Sequence, residues 1–293
     1  MEKSSFYIAG GDLRSVYLAK ALIKDGYETS VFAMERAELP KEAKIIKETE
    51  DFDKAENVIL PLPCCDAKGN LKTAFSDEKI PIKKMVEHMK KGAVLIGGLI
   101  PEDVLGLAKE RGIKTYDYYR REEFAVRNAA LTAEAAAAKL MEMLSESIST
   151  VPVLILGHGR IGRLLSAILK ALDAKVTVAA RRYSELAWIR SEGMTPMEFR
   201  LLDAEIGKFR VIFNTVPSMV LDREKLMLMD KNAVIIDLAS EPGGTDFIAA
   251  KELGITAEKA LGLPGKFAPK TAGEIIKDTV LNILAETEDG YVR

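Results

Sequence analysis

The chain has 293 residues, 48% of them apolar and 29% charged, enough for two domains with ordinary cores. Its net charge of −2 gives no reason to expect nucleic acid or an anionic membrane as a partner. The two cysteines, Cys64 and Cys65, are neighbours, and His88 and His158 are the only histidines. Neither a disulfide framework nor a metal site is expected, and a reducing, cytoplasmic setting is. The N-terminus runs directly into a strand pattern, which is expected to leave no room for a signal peptide, and no apolar run approaches bilayer-spanning length.

The first half alternates strand-like and helix-like segments. Residues 5–9 read as a short strand, and 13–25 as a helix with Val16, Ala19, Leu22 and Ile23 on one face. Further strands are expected at 29–33, 58–62, 93–97 and 114–118, with helices near 82–90 and 101–111. The last of these opens with Pro101 and the acidic pair Glu102-Asp103. Strands alternating with helices imply a parallel, doubly wound sheet. A glycine turn, Gly10-Gly11-Asp12, follows the first strand without the full GxGxxG, so this half is not expected to bind a dinucleotide.

Residues 120–147 form the longest helical stretch. Its centre, 133–138, is rich in alanine, the best helix former, as suits a rigid connector between domains. An apolar run at 153–157 then leads into Gly157-His158-Gly159-Arg160-Ile161-Gly162 and an amphipathic segment, and a second strand follows at 175–180. A GxGxxG alone is weak; set between a strand and a helix it is the fingerprint of a dinucleotide-binding βαβ unit. Gly157 permits the tight turn, Gly159 lets backbone approach a pyrophosphate, and Gly162 lets the helix pack on the sheet, with Ile161, Leu164, Leu165, Ile168 and Leu172 as its buried face. Where an NAD site usually carries an Asp or Glu for the ribose hydroxyls, this chain reads Ala179-Ala180-Arg181-Arg182. Guanidinium groups there can bind a 2′-phosphate, so NADP(H) is the expected cofactor.

The second half continues with a helix near 184–192, strands at 211–215 and 233–238, and a helix near 247–253. A last amphipathic segment, 272–285, has no strand partner and is expected to pack back on the first domain. The predicted fold is α/β: two doubly wound, parallel-sheet, Rossmann-like domains joined by a long helix. The substrate domain spans 1–125 with about 270–293, and the NADP-binding domain, with the connector, spans 126–269. Loops at strand ends are expected to line a cleft between the domains: Asn214, Thr215, Val216 and Pro217 after one strand, Ala239 and Ser240 after the next, and Leu263-Pro264-Gly265-Lys266 before the return helix. Ordinary turn chemistry explains each loop equally well when taken singly. Arg14, Arg120, Arg121, Arg127, Lys266 and Lys270 are candidate carboxylate binders and hint at an anionic substrate, although charges at a helix start are often only a solvated face. Neither histidine is a clear catalytic base.

Five blocks, in order and spread over nearly the whole chain, resemble the family of the dipicolinate synthase A subunit. They are Ala9-Gly-Gly-Asp-Leu-Arg-Ser15, the segment from Arg121 to Ala136, Leu156-Gly-His-Gly-Arg-Ile-Gly162, Ala239-Ser-Glu-Pro-Gly-Gly-Thr-Asp246 and Leu263-Pro-Gly-Lys-Phe-Ala-Pro-Lys-Thr-Ala-Gly273. The family usually carries Tyr or a similar residue in the middle of its GxG, so His158 reads as a tolerated variation.

The resemblance implies an NADP-dependent oxidoreductase of sporulating bacteria. Its reaction would oxidise dihydrodipicolinate, formed from the hydroxytetrahydro compound of the lysine pathway, to pyridine-2,6-dicarboxylate. The partner would be the flavoprotein-like B subunit of dipicolinate synthase. On that reading Arg14, Ser15, Arg121, Asn128 and Thr132 hold the two carboxylates, and Asp12 or Glu123 accepts the proton. Two alternatives stand beside it. One is a stand-alone dehydrogenase of the shikimate or 2-hydroxy-acid type, the latter disfavoured because no His lies downstream of the fingerprint. The other is a regulatory subunit that binds cofactor without turnover. The sequence leaves open whether the chain also assembles with copies of itself.

Overall fold

The computed structural model describes residues 5–288; residues 1–4 and 289–293, which fall in the expected substrate domain, lie outside it. The chain forms two compact units. One runs up to Arg127 and is completed by the segment from Ala268 onward; the other is Asn128–Phe267.

In the first unit six parallel strands, β1 (Phe6–Ala9), β2 (Thr29–Phe32), β3 (Lys44–Ile46), β4 (Asn57–Ile59), β5 (Val94–Gly97) and β6 (Lys114–Asp117), form a sheet in the order β3-β2-β1-β4-β5-β6. The inner strands β2 and β4 are buried at every position, as a sheet covered on both faces requires. Its helices are α1 (Leu13–Lys24), α2 (Ile82–His88), α3 (Glu102–Glu110) and the first turns of α4 (Glu122–Met143). Helix α1 starts where it does because Asp12 caps it, its side chain accepting from the Arg14 amide at 3.0 Å.

The second unit repeats the plan. Strands β7 (Pro152–Leu156), β8 (Lys175–Ala180), β9 (Thr195–Glu198), β10 (Val211–Asn214), β11 (Val234–Asp237) and β12 (Thr256–Lys259) lie parallel in the order β12-β11-β10-β7-β8-β9, which is the same winding as the first sheet. Around them pack α5 (Arg160–Ala171), α6 (Tyr183–Ser191), α7 (Leu202–Glu205), α8 (Arg223–Met227), α9 (Phe247–Leu253) and α10 (Leu263–Phe267). The alanine-rich part of α4 is core: Ala133, Ala135, Ala136, Ala137 and Leu140 are buried in one cluster with Val153, Ile155, Leu165 and Phe213. Small side chains there let the helix lie close to the sheet.

Helix α11 (Pro269–Glu288) returns to the first unit, as expected, and packs against α1. The contact is tight at Gly273, where a Cβ would stand 2.6 Å from the Arg14 carbonyl oxygen and 2.8 Å from the Leu18 nitrogen. Ala272, Ile275, Ile276, Val280 and Ile283 form its buried stripe.

Several elements differ from the sequence expectations. The strands β3, β9 and β12 are sheet-edge strands reading Lys-Ile-Ile, Thr-Pro-Met-Glu and Thr-Ala-Glu-Lys, too short and polar to show a buried-strand pattern. The connector ends at Met143, and Tyr118–Arg120 forms a 3-10 turn before it. Residues 263–267 are helical, with Pro264 in the first turn where its missing N–H costs nothing. On α5 the buried face centres on Leu165 and Leu169; Ile161, Leu164 and Ile168 flank it, and Leu172 is exposed at the C-cap.

The second unit also contains a buried polar hub. Asn214 and Asp237 end the neighbouring strands β10 and β11, pair in register, and are wholly buried. One Asp237 oxygen accepts from Asn214 Nδ2 at 3.0 Å and the Ala239 amide at 3.0 Å; the other accepts from the Gly244 amide at 3.1 Å. Asn214 in turn clamps Val216, accepting from its amide and donating to its carbonyl, both at 3.1 Å. The loops after β10 and β11 are thus built on two side chains. Asp237→Ala would strand these donors in a dry interior and is expected to cost about 3 kcal/mol or more in urea or thermal denaturation. Asp237→Asn, which keeps one acceptor oxygen, should fall between it and the parent chain.

Candidate functional site

In a doubly wound sheet the binding crevice lies where the strand order reverses, at the carboxyl ends of the first and fourth strands. In the second unit these are β7 and β10. Gly157 leaves β7 at φ +96°, a conformation few other residues adopt. A Cβ on Gly162 would meet the Gly157 carbonyl oxygen at 2.2 Å, so the turn itself demands glycine at both positions. Gly159 is different: its Cβ would enter open space, with no protein atom within 4 Å. Among the described residues nothing requires glycine there, whereas a phosphate seated on the turn would. Gly159 is also the N-cap of α5 and contributes no side-chain cap, so the first amides of the helix, around Ile161 and Gly162, are available to an anion. The residues present therefore fit a dinucleotide pyrophosphate.

The other expected cofactor residues surround this turn. Thr215 donates its hydroxyl to the Leu156 carbonyl at 2.8 Å and packs over Gly157, so it braces the turn. Val216 is held by Asn214, Pro217 is exposed, Ala239 is buried on the Asp237 hub, and Ser240 is exposed. His158 is not exposed to the crevice. Its side chain is 3% accessible, with Nε2 at 3.2 Å from Glu192, whose other oxygen pairs with Arg163 at 2.5 Å; Arg163 lies over Trp188. That contact ties the glycine turn to the end of α6, and nothing in the sequence marks Glu192 as its partner.

Arg181 and Arg182 follow β8 directly and are exposed. The Arg181 guanidinium lies 5.2 Å from the Phe199 ring centroid, and Arg182 pairs with Glu185 at 3.0 Å. No carboxylate from the second strand occupies the ribose position, since β8 ends Val178-Ala179-Ala180.

In the first unit the equivalent strands are β1 and β4. Gly10 and Gly11 turn at φ +60° and +102°, and a Cβ on Gly11 would lie 1.9 Å from Ser15 Oγ, which is buried beneath it. Asp12 and Arg14 meet here: Arg14 Nε donates to both Asp12 oxygens at 2.9 and 3.2 Å, and Nη2 to Asp12 at 2.9 Å and the Leu62 carbonyl at 2.6 Å. Burial works to lower the Arg14 pKa, but the Asp12 hydrogen bonds and charge outweigh it, and the net shift is upward. Among the described residues Nη1 has no partner, so one edge of the fork is free. Below it, Tyr118 is fully buried with its hydroxyl on the Leu60 carbonyl at 3.2 Å, and burial raises its pKa. The Cys64 thiol nearby is pushed up to about 12 by burial and by Cys65, so neither group is a ready base or nucleophile.

At the start of α4 the candidates are already paired. Arg121 binds Glu286 through two contacts of 2.6 Å and Glu123 at 2.8 Å, and Arg127 binds Asp278 at 2.8 Å. Burial works to raise the Glu123 pKa, but Arg121 and backbone hydrogen bonds outweigh it and hold it below the usual range. These pairings count against Arg121 as a carboxylate binder and Glu123 as the proton acceptor. Thr132, buried, donates to the Asn128 carbonyl at 2.9 Å one turn back, a bond within the helix. Among the described residues no group of three or more His, Cys, Asp or Glu is placed to hold a metal, and no helix is long and apolar enough to cross a membrane.

Comparison with known proteins agrees with this division. Residues 5–119 match the model of the N-terminal domain of the dipicolinate synthase A subunit, and 120–241 match that of the D-isomer specific 2-hydroxyacid dehydrogenase NAD binding domain. The second match indicates a nicotinamide cofactor and suggests an oxidoreductase. The dipicolinate synthase A subunit of Bacillus subtilis (strain 168) is 29% identical over 286 residues, 96% of either chain. The crystal structure of the dipicolinate synthase A subunit from Bacillus halodurans superposes with TM-score 0.90 at 30% identity, covering 98% of this chain and 99% of that one. The crystal structure of the corresponding Bacillus subtilis protein gives 0.87 at 28%, covering 99% and 98%. With both units matched in order and nearly end to end, the chain belongs to the family of the dipicolinate synthase A subunit.

Proposed function

We propose that the chain is the NADP-dependent oxidising subunit of a dipicolinate synthase, converting dihydrodipicolinate to pyridine-2,6-dicarboxylate. The observation that carries the cofactor reading is the end of β8, where two arginines stand in place of the carboxylate of an NAD site, beside a glycine turn whose Gly159 is explained only by a ligand. NADP+, when bound, accepts the hydride lost from the ring. The substrate then sheds one proton, so hydride and proton together account for the two hydrogens removed on aromatisation.

The chain's own residues bind and orient. In the first unit the free edge of Arg14 receives a substrate carboxylate, its guanidinium fixed by Asp12 and the Leu62 carbonyl before substrate arrives. Ser15, packed under Gly11, and Thr132, bonded along α4, hold backbone in place. Both Asp12 oxygens are engaged by Arg14, which counts against Asp12 as the proton acceptor just as the Arg121 pairing does against Glu123. Because the product is aromatic, the driving force lies in the substrate, and orientation is the protein's main contribution. The relatives are named as one subunit of a synthase, which supports a partner chain, here the flavoprotein-like B subunit, together with a cytoplasmic site in a sporulating cell.

Arg14→Ala is expected to raise the substrate KM by roughly tenfold or more while the Kd for NADP+ stays within about twofold. An unchanged KM removes Arg14 from the scheme. Replacing Arg181 and Arg182 together should cut the preference for NADP+ over NAD+ by about tenfold or more in titration calorimetry. The reaction is read by following reduced-nicotinamide absorbance together with the ultraviolet band of dipicolinate, with and without the partner chain. No product under either condition would overturn the catalytic reading.

A further inference from the structure

Arg181 and Arg182 are neighbours in sequence, but their surroundings differ. Strand β8 runs beside the edge strand β9 with Ala180 opposite Glu198, so Arg181 and Phe199 leave the sheet side by side. The Arg181 guanidinium carbon lies 5.2 Å from the centre of the Phe199 ring. That ring is half-buried and packs on the cluster containing Leu156, Met197 and Leu202, so it is an anchored platform rather than a loose surface side chain.

The carboxylates nearby are otherwise engaged. Glu198 accepts from Arg200 Nε at 2.7 Å and Nη2 at 3.3 Å, and Glu185 holds Arg182 at 3.0 Å. Among the described residues no carboxylate lies within ion-pair distance of Arg181. One arginine therefore faces an acidic partner on its own helix, while the other lies over an aromatic ring with no carboxylate competing for its N–H groups among the described residues.

We infer that the two arginines are not equivalent: Arg181 is the residue that recognises a 2′-phosphate, and Phe199 is the positioning residue that holds its guanidinium for the purpose. The inference rests on the NADP reading and sharpens it. A cation–π contact spends no N–H group on a carboxylate, so the planar fork is available for bidentate contact with a phosphate. Arg182 makes one Nη2 contact with Glu185, so that carboxylate competes with a phosphate for it, and it contributes mainly long-range positive charge.

The test uses the full chain and titration calorimetry with NADP+, NAD+ and 2′,5′-ADP as probes. Arg181→Ala is expected to weaken NADP+ and 2′,5′-ADP by about tenfold or more, and Arg182→Ala by less than about threefold. Phe199→Leu should lower the NADP+ over NAD+ preference by roughly two- to fivefold, and Phe199→Tyr, which keeps an aromatic face, should restore it. Because preference is a ratio, partial unfolding of Phe199→Leu lowers both affinities and leaves the readout intact. Equal losses from the two arginine variants, or a preference unmoved by Phe199→Leu while Arg181→Ala abolishes it, would overturn the inference and leave the NADP reading standing. A parent chain that binds NAD+ as tightly as NADP+ would remove both.

Discussion

Backbone crowding at the end of the first strand governs both units. In each, the chain must reverse from strand into helix within a few residues, at the point where the sheet's winding changes direction, and at one position the helix and the turn approach too closely for a side chain. The first unit meets this with Gly11 pressed on Ser15, the second with Gly162 pressed on the Gly157 carbonyl. The close approach brings the helix down onto the sheet and leaves its first amides near the strand ends. The two turns then diverge chemically. The first is occupied by the chain's own Asp12, which caps the helix and binds Arg14; the second presents uncapped amides to an external anion.

Around these turns, the distribution of charge is explained more by which groups are already paired than by how many there are. The start of α4 is rich in charge, yet Arg121 and Arg127 are each bound to acidic residues of α11. These ion pairs join the return helix to the first unit; they are partly exposed and worth modest stability each. Two arginines at the strand ends keep an uncommitted guanidinium edge among the described residues, Arg14 in one unit and Arg181 in the other.

Much of this architecture was legible in the sequence, for physical reasons that also mark the limit. Central strands such as Val211–Asn214 and Val234–Asp237 are buried on both faces and announce themselves as apolar runs. The edge strand Thr195–Glu198 is half solvated, carries no such pattern, and went unread; with it went Phe199. The glycine turn was readable because its constraints are local. The pairing of Arg121 with Glu286 spans most of the chain, and no spacing rule connects the two. His158 looked like a substitution without purpose because its partner, Glu192, lies two helices and a strand away.

The return of α11 to α1, close enough to exclude any side chain at Gly273, has a consequence for biosynthesis. The second unit is complete in sequence at Phe267, whereas the first lacks its closing helix until Ala268 and beyond have been made. On the ribosome, therefore, the segment translated first finishes folding last, holding the α1 face open while the inserted unit forms its sheet. During that interval the Arg14–Leu18 stretch of α1, against which Gly273 seats, has no covering helix. Synthesis of α11, rather than of the opening strands, sets when the first unit becomes whole.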